Sequence, residues 1–220
     1  MAGGETLTQA HLRTPRAAAI AGIAFSVLLM ASLLLLRQSI PADPLDRGAW
    51  LDRDPHRVVL ALNLIPFAGI AFLWFIGVLR DRLGAREDRF FATVFLGSGF
   101  LFLGLLFVAA AIIGAIIAVH AVQPDGLQNS AAFSIARSLT YNLMNIYAIK
   151  IAGVFMISTS TLALRTGFAA RWIAVLGYAL AGLLLFGSYW IAWSFLVFPI
   201  WVLAMSLHIL VDNFRRPPPA

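Results

Sequence analysis

The feature that most constrains this chain is the stretch 172–211, in which about 40 consecutive residues include no Asp, Glu, Lys or Arg. A bilayer core is about 30 Å thick and takes roughly 20 residues of apolar α-helix to cross. The stretch is therefore long enough for two crossings. The residues GSYW at 187–190 provide turn and interface chemistry near its middle. The pattern predicts two membrane-spanning helices that meet at this tetrapeptide.

Four further apolar runs precede this stretch, and together they predict an all-α bundle of six transmembrane helices. The predicted spans are residues 17–36, 58–79, 90–119, 141–164, 172–187 and 190–211. The composition agrees, because 61% of the residues are hydrophobic, 12% are charged and the mean hydropathy is +0.88. A soluble domain has about 45–50% apolar and about 25% charged residues. Lipid must therefore be the solvent for most side chains.

The arginines predict how the bundle is oriented. If both termini share one side, that side has ten arginines and the other side has five, with Lys150 inside the membrane. Because basic residues favour the cytoplasmic side, the tails 1–16 and 212–220 are predicted to be cytoplasmic. The connection 38–57 then lies outside.

Several classes of function are excluded by the composition. The net charge of +6 is dispersed between apolar runs, so no continuous basic surface is predicted for nucleic acid. Cysteine is absent, which excludes disulfides, thiolate catalysis and iron–sulfur ligation. His120 and His208 are predicted at opposite ends of the bundle, so they cannot share a haem iron. No cofactor is predicted, although a bound lipid would suit the chain.

Lys150, the only lysine, lies within the fourth predicted span. An unpaired cation at the bilayer centre costs about 2.5–3.5 kcal/mol on insertion scales, so it marks a candidate functional site. The same outer half of the bundle is predicted to hold five polar residues: Tyr147, Asn145, Asn142, Asn63 and Tyr189. One hypothesis is an outward-facing cavity around Lys150 that binds a small anionic ligand or a lipid, for binding or transport. The alternative is that Lys150 extends to the interface while the amides bond neighbouring helices.

The predicted external loop offers a second candidate site. Asp52, Asp54 and His56 are residue types that bind divalent cations. Multi-span glycosyltransferases that use lipid-linked sugars also have acidic residues in their first external loop, a similarity of placement. A metal-dependent enzyme acting on a lipid-linked substrate is therefore one hypothesis. The alternative is a solvated loop in which nearby arginines neutralise the aspartates.

Small residues recur at helical spacing on two predicted spans. The two ridges are Ala18, Gly22 and Ser26, and Ala110, Gly114 and Ala118. Such ridges allow helices to approach closely, within a bundle or between chains. With no catalytic motif in the sequence, we expect a non-enzymatic accessory or structural subunit of a larger membrane assembly. Its partners would be lipids, other membrane subunits or further copies of the chain.

The stretch GAREDRFFATVFLGSGFLFLGLLFVAAA at 84–111 resembles uncharacterised multi-span membrane proteins of high-GC bacteria. The resemblance covers the second and third predicted spans and implies a bacterial plasma (inner) membrane. It implies no particular chemistry and no site residues.

Overall fold

The computed structural model describes residues 14–46, 48–53, 55–83, 89–191 and 193–215. Asp54, one of the predicted metal ligands, lies outside the described residues, as does most of each predicted tail. The side chain of Tyr189 is also outside the description. The described part of the chain is almost entirely helical and has no strands.

Long helices form the bundle and two short ones cover one end of it. The long elements are α1 (Thr14–Ser39), α3 (Pro55–Leu83), α4 (Arg89–Val122), α6 (Ala131–Asn142) with α7 (Ile149–Thr166), α8 (Arg171–Gly182) and α9 (Val197–Arg215). The short ones are α2 (Trp50–Arg53) and α5 (Pro124–Leu127). A π-helical turn, Leu143–Ala148, joins α6 to α7 without a break, and a second π turn, Leu183–Gly187, extends α8.

Five helices are long and apolar enough to cross a membrane, which supports a membrane location. They are Ala17–Ser39, Pro55–Arg80, Thr93–Val122, Ala131–Thr166 and Ser194–Phe214. The remaining predicted span corresponds to the shorter apolar helix Arg171–Gly187. The all-helical membrane class is therefore observed, whereas the number of six crossings and the side of the termini stay predictions.

The fourth predicted span, 141–164, is part of the longer helix Ala131–Thr166. The helix begins at Ala131, because the Ser130 hydroxyl accepts a hydrogen bond from the backbone of Phe133 and caps the first turn. No proline interrupts the chain between Ala131 and Thr166, and its one glycine, Gly153, is buried within α7. Hydropathy marks where a chain becomes apolar, whereas a helix starts at its cap, and here the two points differ by several turns.

The bundle core is built around a cluster of phenylalanines. Phe72 contacts the rings of Phe25, Phe155 and Phe198 at centroid distances of 4.4, 5.2 and 5.7 Å. These rings come from α3, α1, α7 and α9, so the cluster joins four helices. Aromatic pairs at such distances add about 0.5–1.5 kcal/mol beyond their area burial.

The small-residue ridge of α1 is used within the bundle. Ala18 and Ser26 are fully buried, and a Cβ on Gly22 would collide with Ser206 of α9 and Phe75 of α3. Ser32 of α1 also donates a hydrogen bond of 2.8 Å to the carbonyl of Ala61 in α3. Close packing therefore holds α1 between α3 and α9.

One end of the bundle is closed by a cap, which we define as the loop 40–46 with α2 and α5. Trp50 and Leu51 of α2 pack with Phe133 in a small second core. Gly48 has a φ of +85° and lies against the Phe133 ring, where a Cβ would be 2.7 Å from the ring. Glycine is required there, because an L side chain would meet both backbone strain and a steric clash.

The opposite end is held by contacts among α7, α8 and α9. The amide of Ala170 donates to Nε2 of His208 at 3.2 Å, and the hydroxyls of Thr161 and Tyr178 are 2.7 Å apart. His120, by contrast, bonds Asp52 in the cap. The two histidines therefore lie at opposite ends of the bundle.

Candidate ligand cavity

A cavity of about 650 Å³ lies inside the bundle below the cap. Its walls come from α1, α3, α4, the α6–α7 helix and the connection between α8 and α9. Leucine, isoleucine and alanine side chains form most of the lining, and Phe195 lies at its inner part beside the phenylalanine cluster. The volume falls within the roughly 300–1,000 Å³ of small-molecule sites.

Three basic residues line this apolar cavity: Arg37, Arg137 and Lys150. No acidic residue is among the described residues that line it. Cations are costly in a low-dielectric site unless an anion compensates them. The cavity is therefore electrostatically suited to an anionic group.

Arg137 is fixed in place by the cap. Its side chain is 5% exposed, and its terminal nitrogen donates to the carbonyls of Pro41 at 3.1 Å and Asp43 at 3.3 Å. The guanidinium also lies 5.7 Å from the Trp50 ring, and Asp46 and Asp43 interact with it electrostatically. Its buried Nε has no hydrogen-bond partner in the described structure. Arg137 therefore ties the cap to α6 and contributes one wall of the cavity.

Arg37 and Lys150 have no such partners. Within the described ranges, neither side chain makes a hydrogen bond or an ion pair. Arg37 is half-buried near the end of α1, and Lys150 is exposed near the start of α7. Helical side chains lean towards the amino end of their own helix. Arg37 lies two residues before the end of α1 and Lys150 is the second residue of α7, and both line the same cavity.

Both π turns border the cavity. Met144, Asn145 and Ile146 come from the first turn, and Leu185 and Phe186 from the second. π turns are rare and occur mostly as single turns inside α-helices, frequently at functional sites. Here they widen two walls of the same space.

The connection between α8 and α9 forms the outer rim of the cavity. Ser188, Trp190, Ile191 and Ser194 all line it. Phe186 is 87% exposed and Trp190 is 84% exposed, so two large apolar side chains stand at the rim facing outwards. In a membrane this surface meets lipid or the lipid–water interface.

The structure brings together two of the predicted ligand-binding residues. Lys150 and Asn145 line the cavity, and Nδ2 of Asn145 donates to the Tyr141 carbonyl at 3.0 Å. Asn142 and Tyr147 are exposed and do not line it. The backbone of Tyr189 lies between the cavity residues Ser188 and Trp190.

Asn63 does not join this group. Its side chain is exposed on α3 and donates a hydrogen bond of 3.0 Å to the Val59 carbonyl of the same helix. The prediction that it faces the cavity rested on depth alone. Depth in the bilayer does not determine which face of a helix a residue occupies.

The predicted metal ligands are arranged differently. Asp52 accepts hydrogen bonds from Gln128 at 3.1 Å and from His120 at 3.0 Å, and these two bonds, Gln128 first, lower the pKa of its carboxyl. His56 is exposed at the start of α3. No group of three potential metal ligands occurs among the described residues, from which Asp54 is missing. The described contacts of Asp52 join α2 to His120 of α4 and to Gln128, the residue that follows α5.

Arg37 and Arg137 are the site residues that sequence reasoning did not identify, because both were assigned to the membrane surface. Arg137 had a usable signal, since it follows Phe133 by one helical turn and so shares the face that packs on the bundle. The sequence around Arg37 had no such signal, because a basic residue at the end of an apolar run is typical of the membrane–water interface.

Comparison with protein-family models, with curated proteins and with solved structures found no match to this chain.

Proposed function

We propose that this protein binds an anionic amphiphile within its bundle. The observation that carries the proposal is a single apolar cavity lined by three basic residues and, in the described chain, by no acidic ones. The charged end of the ligand would lie between Arg37 and Lys150. Its hydrocarbon part would lie against the leucine and isoleucine walls.

The energetics favour a ligand that supplies charge. Lys150 and Arg37 have no carboxylate partner in the described structure, and each cation within a bilayer is unfavourable by itself. An anion between them would offset this cost, and charge-assisted hydrogen bonds are roughly twice as strong as neutral ones. The apolar walls would add roughly 25 cal/mol for each Å² of ligand surface that they bury.

The cavity favours ligand binding over an accessory role in a larger assembly. The α1 ridge that suggested a partner surface is covered by α3 and α9 of the same chain. On the α4 ridge, Ala110 lines the cavity. A Cβ atom added to Gly114 would lie 3.9 Å from the Leu62 side chain, which is an ordinary van der Waals contact. The α1 ridge and Ala110 are therefore used within the chain, whereas Ala118 of the α4 ridge remains exposed.

Native mass spectrometry of the purified protein tests the proposal. We expect the wild type to retain anionic lipid and the Lys150→Met variant to retain at least about tenfold less, equivalent to about 1.4 kcal/mol. Arg37→Gln should have a similar effect. Arg53→Gln is the matched control, because Arg53 is exposed at the same end of the bundle and does not line the cavity.

Equal lipid retention by all four proteins would contradict the proposal. Loss of the lysine should not unfold the chain, because Lys150 makes no hydrogen bond or ion pair with the described residues. Melting curves in detergent would verify that each variant is folded before its lipid content is compared.

A further inference from the structure

We infer that the charged group of the ligand is a dianion, and specifically a phosphomonoester on a lipid. This inference rests on the proposed function and specifies its ligand. It comes from the balance of charges around the cavity.

Arg137 is already held by the cap. Asp46 and Asp43 interact with its guanidinium electrostatically, and the carbonyls of Pro41 and Asp43 accept its hydrogen bonds. Arg37 and Lys150 have no such contacts within the described lining. The cavity therefore has an excess of two cations that lack a described partner.

A dianion matches this excess, whereas a monoanion leaves one cation unpaired. A phosphodiester headgroup has a single negative charge, and a phosphomonoester has about −1.5 to −2 at pH 7 with three acceptor oxygens. A monoanion can offset only one of the two cations, and an unpaired cation is unfavourable in a site of low dielectric. A zwitterionic headgroup would add a further cation beside Arg37 and Lys150.

Uncharged polar headgroups are disfavoured for a separate reason. The hydroxyls of Thr140 and Ser194 line the cavity, but they already donate to the carbonyls of Ala136 and Ser188. Nδ2 of Asn145 also donates to a carbonyl of its own helix. Of the neutral donors, the hydroxyls of Tyr141 and Ser188 remain in the lining, and the two cations are the stronger donors because hydrogen bonds from a charged group are roughly twice as strong as neutral ones.

The experiment compares lipids that share the same acyl chains. Wild-type protein in detergent is incubated with phosphatidic acid, phosphatidylglycerol and phosphatidylcholine in competition, and bound lipid is measured by native mass spectrometry at pH 8.0 and pH 5.0. We expect at least a tenfold preference for phosphatidic acid over phosphatidylglycerol at pH 8.0. The preference should fall to within about threefold at pH 5.0, because a phosphomonoester loses its second charge near pH 6.

The pH effect can be assigned to the ligand. The described residues that line the cavity include no histidine, Asp or Glu, and their ionisable side chains are Arg37, Arg137, Tyr141 and Lys150. Histidine is the side chain whose unperturbed charge changes between pH 5 and pH 8, so this lining leaves the phosphomonoester as the group that changes charge there. Asp43 and Asp46 face Arg137 from the cap and do not line the cavity.

Two variants and one control complete the design. Arg37→Gln and Lys150→Met should each reduce the preference for phosphatidic acid at least fivefold, whereas Arg53→Gln should leave it unchanged. Inorganic phosphate added at millimolar concentration should not displace the lipid. Displacement by phosphate would overturn the assignment to a lipid and indicate a site for the free anion.

The outcomes separate this inference from the proposed function. Equal binding of phosphatidic acid and phosphatidylglycerol, with both lost in Lys150→Met, would overturn the inference and leave the proposed function intact. Equal retention of all three lipids by the wild type and by Lys150→Met would overturn both.

Discussion

At the scale of single residues, the basic side chains of the cavity have different surroundings although they share a charge. Arg137 is bound to backbone carbonyls of the cap, whereas Arg37 and Lys150 have no partner within the described chain. A buried cation that backbone carbonyls hold in place is a structural element. A cation without described partners beside a cavity is available to a ligand. This difference, more than the number of charges, is the reason that we propose the anion site near Lys150.

Asp52 provides a residue-scale prediction about pH. Its pKa is lowered by the hydrogen bonds from Gln128 and His120, so its contribution to stability is present above the unfolded pKa and is lost as pH falls through the lower folded pKa. We expect Asp52→Asn to melt at a lower temperature than the wild type at pH 7. The difference should shrink below about pH 4 and vanish once the wild-type carboxyl is protonated. Tryptophan fluorescence during heating in detergent measures both curves.

His56→Gln is the control for this experiment, because His56 is exposed in the same segment of chain. Its melting temperature should follow the wild type at every pH. A constant difference between Asp52→Asn and the wild type from pH 7 to pH 3 would contradict a charge-dependent contact of Asp52 with α4 and α5.

Lys150 could be selected from the sequence as a candidate site residue, because a lysine inside an apolar span is unusual. Asn63 could not be placed, since an amide can bond a carbonyl of its own helix and then face lipid, as it does here. Arg37 could not be assigned to the cavity from the sequence. For Arg137 the sequence indicates only the helix face that it shares with Phe133, because the cap that holds it folds back over the helix ends through contacts distant in sequence. Arg137, for example, binds Pro41, nearly a hundred positions earlier.

At the scale of elements, the packing of α1 explains why the bundle tolerates little change on one helix face. Gly22 lies where α1 meets Ser206 of α9 and Phe75 of α3. Apolar runs predicted each long helix, because length and hydropathy are local properties. The two π turns were not predicted, since they depend on neighbouring helices.

Replacing Gly22 with leucine tests this packing. The side chain would clash with Phe75 and Ser206, so we expect a loss of about 1–3 kcal/mol or more and a lower yield of monodisperse protein. Gly104→Leu is the matched control, because Gly104 is an exposed position on α4 with nothing within 4 Å of its Cβ position. That variant should be as stable as the wild type or slightly more so, since glycine costs about 1 kcal/mol in a helix. Equal behaviour of the two variants in size-exclusion chromatography would contradict the close approach of α1.

At the scale of the whole molecule, the structure shows which residues lie at each end of the bundle. Which end faces the cytoplasm is predicted from the distribution of the arginines. The cap, Ile191 and the cavity lie at one end of the bundle, and the loop after Thr166 lies at the other. The positive-inside distribution predicts that the cap end is external and that both termini are cytoplasmic. Arginine counts could predict an orientation, but the arrangement of the helices around a cavity depends on three-dimensional packing.

The absence of cysteine allows a direct test of topology. Single cysteines at Ala49, Ile191 and Thr166 are all at exposed positions. In intact cells, a membrane-impermeant maleimide should label Ala49→Cys and Ile191→Cys, whereas Thr166→Cys should react only after permeabilisation. If Thr166→Cys alone reacts in intact cells, the orientation is opposite to the predicted one. Labelling of each variant in detergent serves as the reference. A cysteine that also reacts poorly in detergent has limited reagent access and is not used to assign a side of the membrane.

The short α8 segment also affects the bilayer around it. With 17 residues, Arg171–Gly187 measures about 25 Å, several ångström less than an average hydrocarbon core. As the predicted sixth crossing, it would require the lipids beside it to compress, which would bring their headgroups closer to the midplane next to Phe186 and Trp190. Such a dip in the leaflet would shorten the distance from the membrane surface to Lys150 for the phosphate of the proposed ligand.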